Sequence, residues 1–170
     1  MDSYKNLVFL GMMGSGKSSI GNLVSKKLNI PFIDIDSLIV ENTGMCISEI
    51  FEKKGEDYFR NLEEKITLKC LKKIKTVVSL GGGAFINNKI KKEILANHFS
   101  FWLNWEESIL IKRIKNSKKR PLAFKSTEQE IRTIIRKRSK VYSNAQFKIN
   151  CNKLTKTEIV KKIIKIYELN

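Results

Sequence analysis

Short apolar runs alternate along the chain with longer segments in which apolar residues recur at helical spacing. Runs of strand length occur at residues 7–10, 32–35, 76–80, 99–103 and 145–149. Helical spacing is clearest over 57–74, where Phe59, Leu62, Ile66 and Cys70 fall on one face. The alternation predicts an α/β fold with a central, mainly parallel five-stranded sheet flanked by helices.

Two segments toward the C-terminal end begin with the capping signature of a helix, a threonine followed three residues later by a glutamate. The pairs are Thr127 with Glu130, and Thr155 with Glu158. The first pair predicts a helix over 127–140, and the second predicts the last helix of the chain.

Residues 116–126 separate two predicted helices but have no apolar periodicity of their own. They contain several basic residues and offer no face that a core would bury. We expect this segment to be a mobile lid within a single domain that spans residues 1–170.

The composition is that of one compact globular domain. The chain has 170 residues, 42% of them hydrophobic, and no apolar stretch approaches the roughly 20 residues of a membrane span. Cys46, Cys70 and Cys151 are widely spaced, so we expect buried or partly buried thiols in a reducing compartment. His98 is the only histidine, which excludes histidine clusters for zinc and a Ser-His-Asp triad. These features predict a cytoplasmic protein with no membrane partner.

The charge is strongly positive, with a formal net charge of +16 and a pI near 9.8. Lysines number 27 and arginines 6, and they are spread along the whole chain. Because no nucleic-acid recognition module accompanies this charge, we expect no nucleic-acid partner, and an anion such as ATP would also be attracted. The alternative is a basic nucleic-acid-binding protein, which salt-sensitive affinity without turnover would identify.

Residues 11–18 have the sequence Gly-Met-Met-Gly-Ser-Gly-Lys-Ser, the complete phosphate-binding pattern G-x-x-x-x-G-K-[ST]. The pattern follows an apolar run of strand length and opens a segment with helical spacing, as this motif requires. Its glycines let backbone N–H groups turn toward phosphate oxygens. Lys17 is placed to reach the β- and γ-phosphates, and the Ser18 hydroxyl is placed to bind Mg²⁺. We expect six residues to bind the nucleotide: Gly14, Ser15, Gly16, Lys17, Ser18 and Ser19.

Two aspartates, Asp34 and Asp36, end the second predicted strand. Side chains alternate along a strand, so we expect both carboxylates on one side, one near Mg²⁺ and one near a substrate hydroxyl. The alternative is that Asp36 caps a helix over 37–41.

Three consecutive glycines, Gly81, Gly82 and Gly83, follow the third predicted strand. Ligands of parallel α/β sheets bind beyond the carboxyl ends of the strands, and missing side chains there let a ligand approach the backbone closely. The alternative is that the glycines form only a flexible turn.

Six motifs, in order along the chain, resemble those of shikimate kinases. They are the loop 11–18, Asp34-x-Asp36, Phe59-Arg60-x-x-Glu63, Ser79-Leu80-Gly81-Gly82-Gly83, Arg120-Pro121-Leu122, and Arg138 four residues before Tyr142. The resemblance covers nearly the whole chain. It implies a P-loop kinase fold of the nucleoside monophosphate kinase type with a lid, and ATP-dependent phosphorylation of the 3-hydroxyl of shikimate, a step toward chorismate and the aromatic amino acids.

The resemblance also assigns roles to residues in a protein that we expect to be a monomer. Shikimate would be bound by Asp36, Arg60, Gly81, Gly82, Gly83 and Arg138. Ser18 would hold Mg²⁺ with Asp34 assisting through water, and Arg113 and Arg120 would contact ATP. The catalytic residues would be Lys17, Asp36 and Arg120. Glu63 would orient Arg60.

Two segments depart from the family pattern. Residues 150–153 lie where relatives form an adenine-contacting loop, often with an arginine and a proline, and contain neither. The lid has Ala123-Phe124 in place of a more usual leucine-containing sequence.

Arg132 and Arg136 have no assigned role, and we expect them on a solvated helix face. The other enzyme alternative is a small P-loop kinase of gluconate or of a nucleoside monophosphate.

Overall fold

A parallel five-stranded sheet forms the centre of the structure, a computed structural model that describes residues 4–116 and 126–170. Its strands are β1 (Leu7–Leu10), β2 (Phe32–Asp34), β3 (Val77–Ser79), β4 (Phe99–Asn104) and β5 (Phe147–Asn150). They lie in the order β2-β3-β1-β4-β5, and each neighbouring pair is parallel. The predicted α/β fold is confirmed; β1 has the predicted ends, and the ends of the other strands lie within two residues of the predicted ones.

Helices pack on both faces of this sheet. In chain order they are α1 (Lys17–Leu28), α2 (Ile35–Thr43), α3 (Ile47–Lys54), α4 (Glu56–Leu71), α5 (Asn88–Asn97), α6 (Glu107–Lys115), α7 (Glu128–Tyr142) and α8 (Lys156–Glu168). Both predicted capping boxes are present, because the side chains of Thr127 and Thr155 accept hydrogen bonds from the backbone N–H groups of Glu130 and Glu158.

The sheet has an apolar core on each face, because the side chains of β1 alternate between the two. Val8 and Leu10 lie in a core shared with helices α2 to α7. Leu7 and Phe9 lie in a second core shared with α1 and α8. All four residues are at most 1% exposed, which explains why this strand is a continuous apolar run in the sequence.

The strand order brings three distant segments to one edge of the sheet. β1 lies between β3 and β4, and β3 lies between β1 and β2. The carboxyl ends of β1, β2 and β3 are therefore neighbours, and they lead into the loop 11–16, helix α2 and the glycine run 81–83. Ligands of parallel sheets bind at such an edge, where the chain turns to opposite sides of the sheet.

Asn6, buried directly before β1, connects this strand to the turn between α4 and β3. Its side-chain nitrogen donates to the carbonyls of Leu71 at 3.0 Å and Lys73 at 2.6 Å. Its side-chain oxygen accepts from the backbone N–H of Thr76 at 3.0 Å. α4 ends at Leu71, earlier than the predicted residue 74, and Asn6 satisfies carbonyls at this end of the helix.

The burial of the three cysteines agrees only in part with the expectation from the sequence. Cys70 and Cys151 are buried, as expected, but Cys46 is exposed. It lies directly before α3 at the surface, where its Sγ is 3.0 Å from the hydroxyl of Ser48. Among the helices of the described residues, none has the length and apolar content that a membrane span requires.

Asn6→Ala is expected to lower the free energy of unfolding by about 2 to 4 kcal/mol, because it leaves buried backbone groups of Leu71 and Thr76, and the partly buried carbonyl of Lys73, without their partner. The control is Asn97→Ala at the exposed end of α5, with an expected change within about 0.5 kcal/mol. Urea denaturation measures both variants. An equal effect of the two substitutions would show that Asn6 does not stabilise this connection.

Candidate active site

The loop between β1 and α1 has the backbone shape of a phosphate-binding loop. Gly11, Gly14 and Gly16 have φ values of +142°, +78° and +88°, which residues with a side chain rarely adopt. Lys17 begins α1 and is 7% exposed, and its Nζ donates to the carbonyls of Gly11 at 2.9 Å and Met12 at 3.1 Å. The lysine is thus held against the loop at the positive end of the α1 dipole, where phosphate oxygens would bind.

Ser15 and Ser19, also predicted to bind the nucleotide, belong to the same segment. Ser15 is 1% exposed, and its hydroxyl has no hydrogen-bond partner within the part of the chain that the structure describes. Ser19 lies in the first turn of α1. Arg120 and Pro121 lie outside the described residues, as does the rest of the predicted lid between its ends, Asn116 and Ser126.

Ser18 and Asp34, the predicted metal-binding residues, are in direct contact. The Ser18 hydroxyl donates to Oδ2 of Asp34, and Oδ1 of Asp34 accepts from the backbone N–H of Ser37 at 3.0 Å. Two oxygen donors beside a phosphate loop suit Mg²⁺. Residues 4–116 and 126–170 contain no cluster of three or more His, Cys, Asp or Glu side chains that could hold a metal. Phosphate oxygens and water would therefore have to complete the coordination.

The predicted placement of Asp34 and Asp36 on one strand was wrong. β2 ends at Asp34, and Asp36 lies in the first turn of α2. The alternative that Asp36 caps this helix was also wrong, because Asp34 occupies the cap position and accepts from Ser37. The two carboxylates therefore have separate surroundings, Asp34 beside Ser18 and Asp36 at a cavity next to the phosphate loop.

This cavity, of about 830 Å³, is lined by residues of α2, α3, α4 and α7. Its wall includes these polar and glycine residues: Asp36, Arg60, Glu63, Gly82, Gly83 and Arg138. Apolar side chains, among them Phe51 and Phe59, form much of the remaining wall. Because Met12 and Met13 of the phosphate loop also line the cavity, a molecule bound there would lie next to the phosphates of a nucleotide.

Arg60 is held by two carboxylates of its own helix, α4. Its NH1 donates to Glu63 at 2.7 Å, and its Nε and NH2 each lie 3.2 Å from Oε1 of Glu56. Glu63 is only 2% exposed, and burial raises the pKa of its carboxyl while Arg60 opposes that rise. Glu63, expected to orient Arg60, is thus in direct contact with it.

The glycine run after β3 makes room for charged side chains of the cavity. A Cβ atom on Gly81 would lie 2.8 Å from Oδ1 of Asp36 and closer still to the carboxylate of Glu63. A Cβ atom on Gly83 would lie 2.5 Å from NH1 of Arg60. The sequence suggested that the missing side chains leave space for a ligand. In the structure, side chains of the protein itself occupy space next to Gly81 and Gly83.

Arg138 and Tyr142 of α7 both donate to the carbonyl oxygen of Gly82, and the Arg138 distance is 3.2 Å. Burial raises the pKa of Tyr142 to about 12, so its hydroxyl stays protonated and donates at neutral pH. Within the described residues, Arg138 forms no ion pair with a carboxylate. Its positive charge lowers the pKa of the nearby Glu63 carboxyl and, since it pairs with none of the described carboxylates, can also meet a ligand in the cavity.

Arg113, the predicted nucleotide contact, lies against the phosphate loop. Its NH1 donates to the carbonyl of Gly14 at 3.3 Å, and its Cζ lies 3.8 Å from the ring centre of Trp105. Trp105 in turn donates from Nε1 to the carbonyl of Ser15 at 2.9 Å. The sequence motifs did not include Trp105. The available signal was its position directly after β4, at the ligand-binding edge of the sheet.

Arg132 and Arg136 were expected on a solvated face of their helix. Arg136 is exposed and Arg132 is half-buried, and both also form ion pairs. Each pairs with Glu107 of α6, and Arg132 also pairs with Glu128. Arg136 has 70% of its side chain exposed, so its pair contributes little to stability on its own. Together these pairs connect α7 with α6, the helices on either side of the predicted lid.

Arg60→Ala leaves the buried Glu63 carboxylate without its ion-pair partner. We expect the free energy of unfolding at neutral pH to fall by about 2 kcal/mol or more. Arg60 lowers the pKa of Glu63, so its removal raises that pKa further above the unfolded value. The folded variant then takes up a proton more readily than the unfolded chain, and the loss shrinks as pH falls through the raised pKa.

The control for this variant is Lys53→Ala, which breaks an exposed pair with Glu49 and is expected to cost at most about 0.5 kcal/mol. Urea denaturation at several pH values measures both variants. A loss for Arg60→Ala that does not depend on pH would contradict the buried charge pair.

Comparison with known proteins identifies the family. Residues 13–168 match the family model for shikimate kinase. The chain is 39% identical over 165 residues to the shikimate kinase of Thermodesulfovibrio yellowstonii, covering 96% of this chain and 95% of that one. The solved shikimate kinase of Aquifex aeolicus has a TM-score of 0.86 and 36% identity, with 96% of each chain covered. A shikimate kinase from Acinetobacter baumannii, solved in complex with shikimate, has a TM-score of 0.92 and 27% identity, covering 99% of this chain and 96% of that one. Matches of this extent show that the chain belongs to the shikimate kinase family.

Proposed function

We propose that this chain transfers the γ-phosphoryl group of ATP to the 3-hydroxyl of shikimate, giving shikimate 3-phosphate and ADP. The observation that carries the proposal is the cavity beside the phosphate loop, whose wall holds Arg60, Arg138 and Asp36. Shikimate has a carboxylate and three hydroxyls, so its site needs forked cationic donors at one end and an acceptor at the other. Membership of the shikimate kinase family supports the same reaction.

On the nucleotide side, the phosphate loop would bind the triphosphate through its backbone N–H groups. Lys17, now donating to the Gly11 and Met12 carbonyls, would turn to the β- and γ-phosphates and stabilise the charge that develops between them. Ser18 would hold Mg²⁺ with Asp34 assisting through water, and the ion when bound neutralises charge on the phosphate oxygens. The hydrogen bond between Ser18 and Asp34 already brings these two oxygen donors together.

On the acceptor side, Arg138 and Arg60 would bind the carboxylate of shikimate, and Asp36 would accept a hydrogen bond from the 3-hydroxyl. The hydroxyl oxygen forms a bond to the γ-phosphorus while the bond from that phosphorus to the bridging oxygen breaks and ADP leaves. The hydroxyl proton passes to the Asp36 carboxylate. The backbone of the glycine run 81–83 would lie along the bound shikimate.

Arg113 would contact the base of ATP. The contact of Arg120 with ATP, and the lid over 116–126, stay predictions from the family resemblance. The single domain over 1–170, the cytoplasmic location, the monomeric state and the absence of nucleic-acid and membrane partners also stay predictions.

A coupled assay of the purified protein tests the proposal. With MgATP present, ADP should be released when shikimate is added, and Lys17→Ala should abolish this turnover while the protein stays folded. Gluconate and a nucleoside monophosphate serve as control acceptors. Turnover with either control but not with shikimate would contradict the proposal, and salt-sensitive DNA or RNA binding without any turnover would favour the nucleic-acid alternative.

Asp36→Asn is expected to lower kcat by about 10²-fold or more, because the amide can contact the 3-hydroxyl but cannot take its proton. The control is Glu52→Gln, which neutralises an exposed carboxylate of α3 and should leave kcat within about twofold of the parent. The coupled assay at saturating ATP and shikimate measures both. Retention of most activity by Asp36→Asn would limit this residue to orienting the hydroxyl.

A further inference from the structure

We propose that Trp105 is a positioning residue for the nucleotide base, whose indole holds the Arg113 guanidinium above the phosphate loop so that its opposite face stacks on the base. The inference rests on the proposed function, since it concerns the ATP that this function requires. It assigns a role to a side chain that lies outside every motif of the sequence.

The contact between Arg113 and Trp105 has the distance of a stack. The guanidinium carbon lies 3.8 Å from the ring centre. The other cation–ring pairs of the described residues have separations of 4.8 to 6.0 Å. A planar guanidinium is attracted to the negative face of an aromatic ring. Among aromatic side chains, tryptophan attracts it most strongly.

The indole is itself fixed in place. Its Nε1–H donates to the Ser15 carbonyl at 2.9 Å, within the phosphate loop. Its ring is partly buried and packs against the apolar cores on both faces of the sheet. Trp105 therefore has few other positions available, and it restricts the long Arg113 side chain that lies on it.

Residues on either side of Trp105 are fastened to the loop 150–153. The Asn104 side chain donates to Oδ1 of Asn150 at 3.0 Å, and the backbone N–H of Glu106 donates to Oδ1 of Asn152 at 2.7 Å. The backbone N–H of Cys151 donates to the Asn104 carbonyl at 2.9 Å. This loop has neither the arginine nor the proline expected from the family pattern, and its polar groups hold the segment that carries Trp105.

Arg113 is an exposed residue although its guanidinium lies against the indole. Its NH1 donates to the Gly14 carbonyl at 3.3 Å, so the guanidinium lies beside the loop that would bind the phosphates of ATP. A planar cation in this place offers a surface on which the base of the same nucleotide can stack. Because the indole holds the cation there before the nucleotide arrives, less side-chain entropy is lost on binding.

Kinetics of four variants test whether Trp105 acts through Arg113. Trp105→Ala is expected to raise the KM for ATP about threefold or more, while the KM for shikimate and kcat stay within about twofold. Trp105→Phe, which keeps an aromatic face, should retain most of the affinity for ATP. In an Arg113→Ala background, Trp105→Ala should have no further effect, because the two residues act as one unit.

Intrinsic fluorescence reports the same contact without an acceptor, because the chain has two tryptophans, Trp102 and Trp105. In Trp102→Phe, Trp105 is the remaining tryptophan, and ADP should change its emission. Adding Arg113→Ala should weaken both this change and the affinity for ADP. In Trp105→Phe, the emission of Trp102 should not respond to ADP. Trp102 is a matched control because it packs instead against Tyr142 and Lys148.

The outcomes separate this inference from the proposed function. A parent protein that binds ADP but does not phosphorylate shikimate contradicts the proposed function alone. Calorimetric titration measures ADP affinity without a fluorophore. An unchanged ADP affinity in Trp105→Ala, or additive losses of that affinity in the double variant with Arg113→Ala, overturns the inference alone. If Trp105→Ala does not fold, the Trp102→Phe titrations with and without Arg113→Ala decide, and equal responses to ADP in the two would overturn it.

Discussion

The cavity beside the phosphate loop is arranged around one buried carboxyl group, that of Glu63. This group is 2% exposed, and Arg60 stabilises its ionised form from 2.7 Å while burial favours the protonated form. The pair fits only because Gly81 and Gly83 have no side chains, since a Cβ atom on either would meet Glu63 or Arg60. The glycine run after β3 and the ion pair of α4 are therefore parts of one arrangement.

The two arginines of this cavity differ in how much charge they can offer to a ligand. Arg60 already meets Glu63 and Glu56, although Glu56 is mostly exposed and its pair is weak enough to be exchanged for a ligand. Arg138 donates to a neutral carbonyl, that of Gly82, and forms no ion pair among the described residues. A bound carboxylate would therefore gain most from Arg138, while Arg60 lowers the pKa of Glu63 and completes the fork.

The sequence predicts best what local contacts decide. The glycines of the phosphate loop and the capping boxes at Thr127 and Thr155 act within a few residues, and the structure has the predicted backbone there. The end of α4 has its carbonyls satisfied by Asn6, more than 60 residues away, and spacing alone could not predict that contact. The separation of Asp34 from Asp36 depends on which aspartate caps α2, and both satisfy the same local rule. Trp105 meets Arg113 only through tertiary packing, so no motif includes it.

We propose that the charged cavity beside the phosphate loop recognises a carboxylate through Arg138. Calorimetric titration of shikimate and of its neutral carboxamide, with the parent protein and with Arg138→Ala, measures this recognition directly. The parent should prefer shikimate over the carboxamide by about tenfold or more, and Arg138→Ala should remove most of that preference while binding the carboxamide nearly as well as the parent. The same preference in both proteins would show that the carboxylate binds elsewhere.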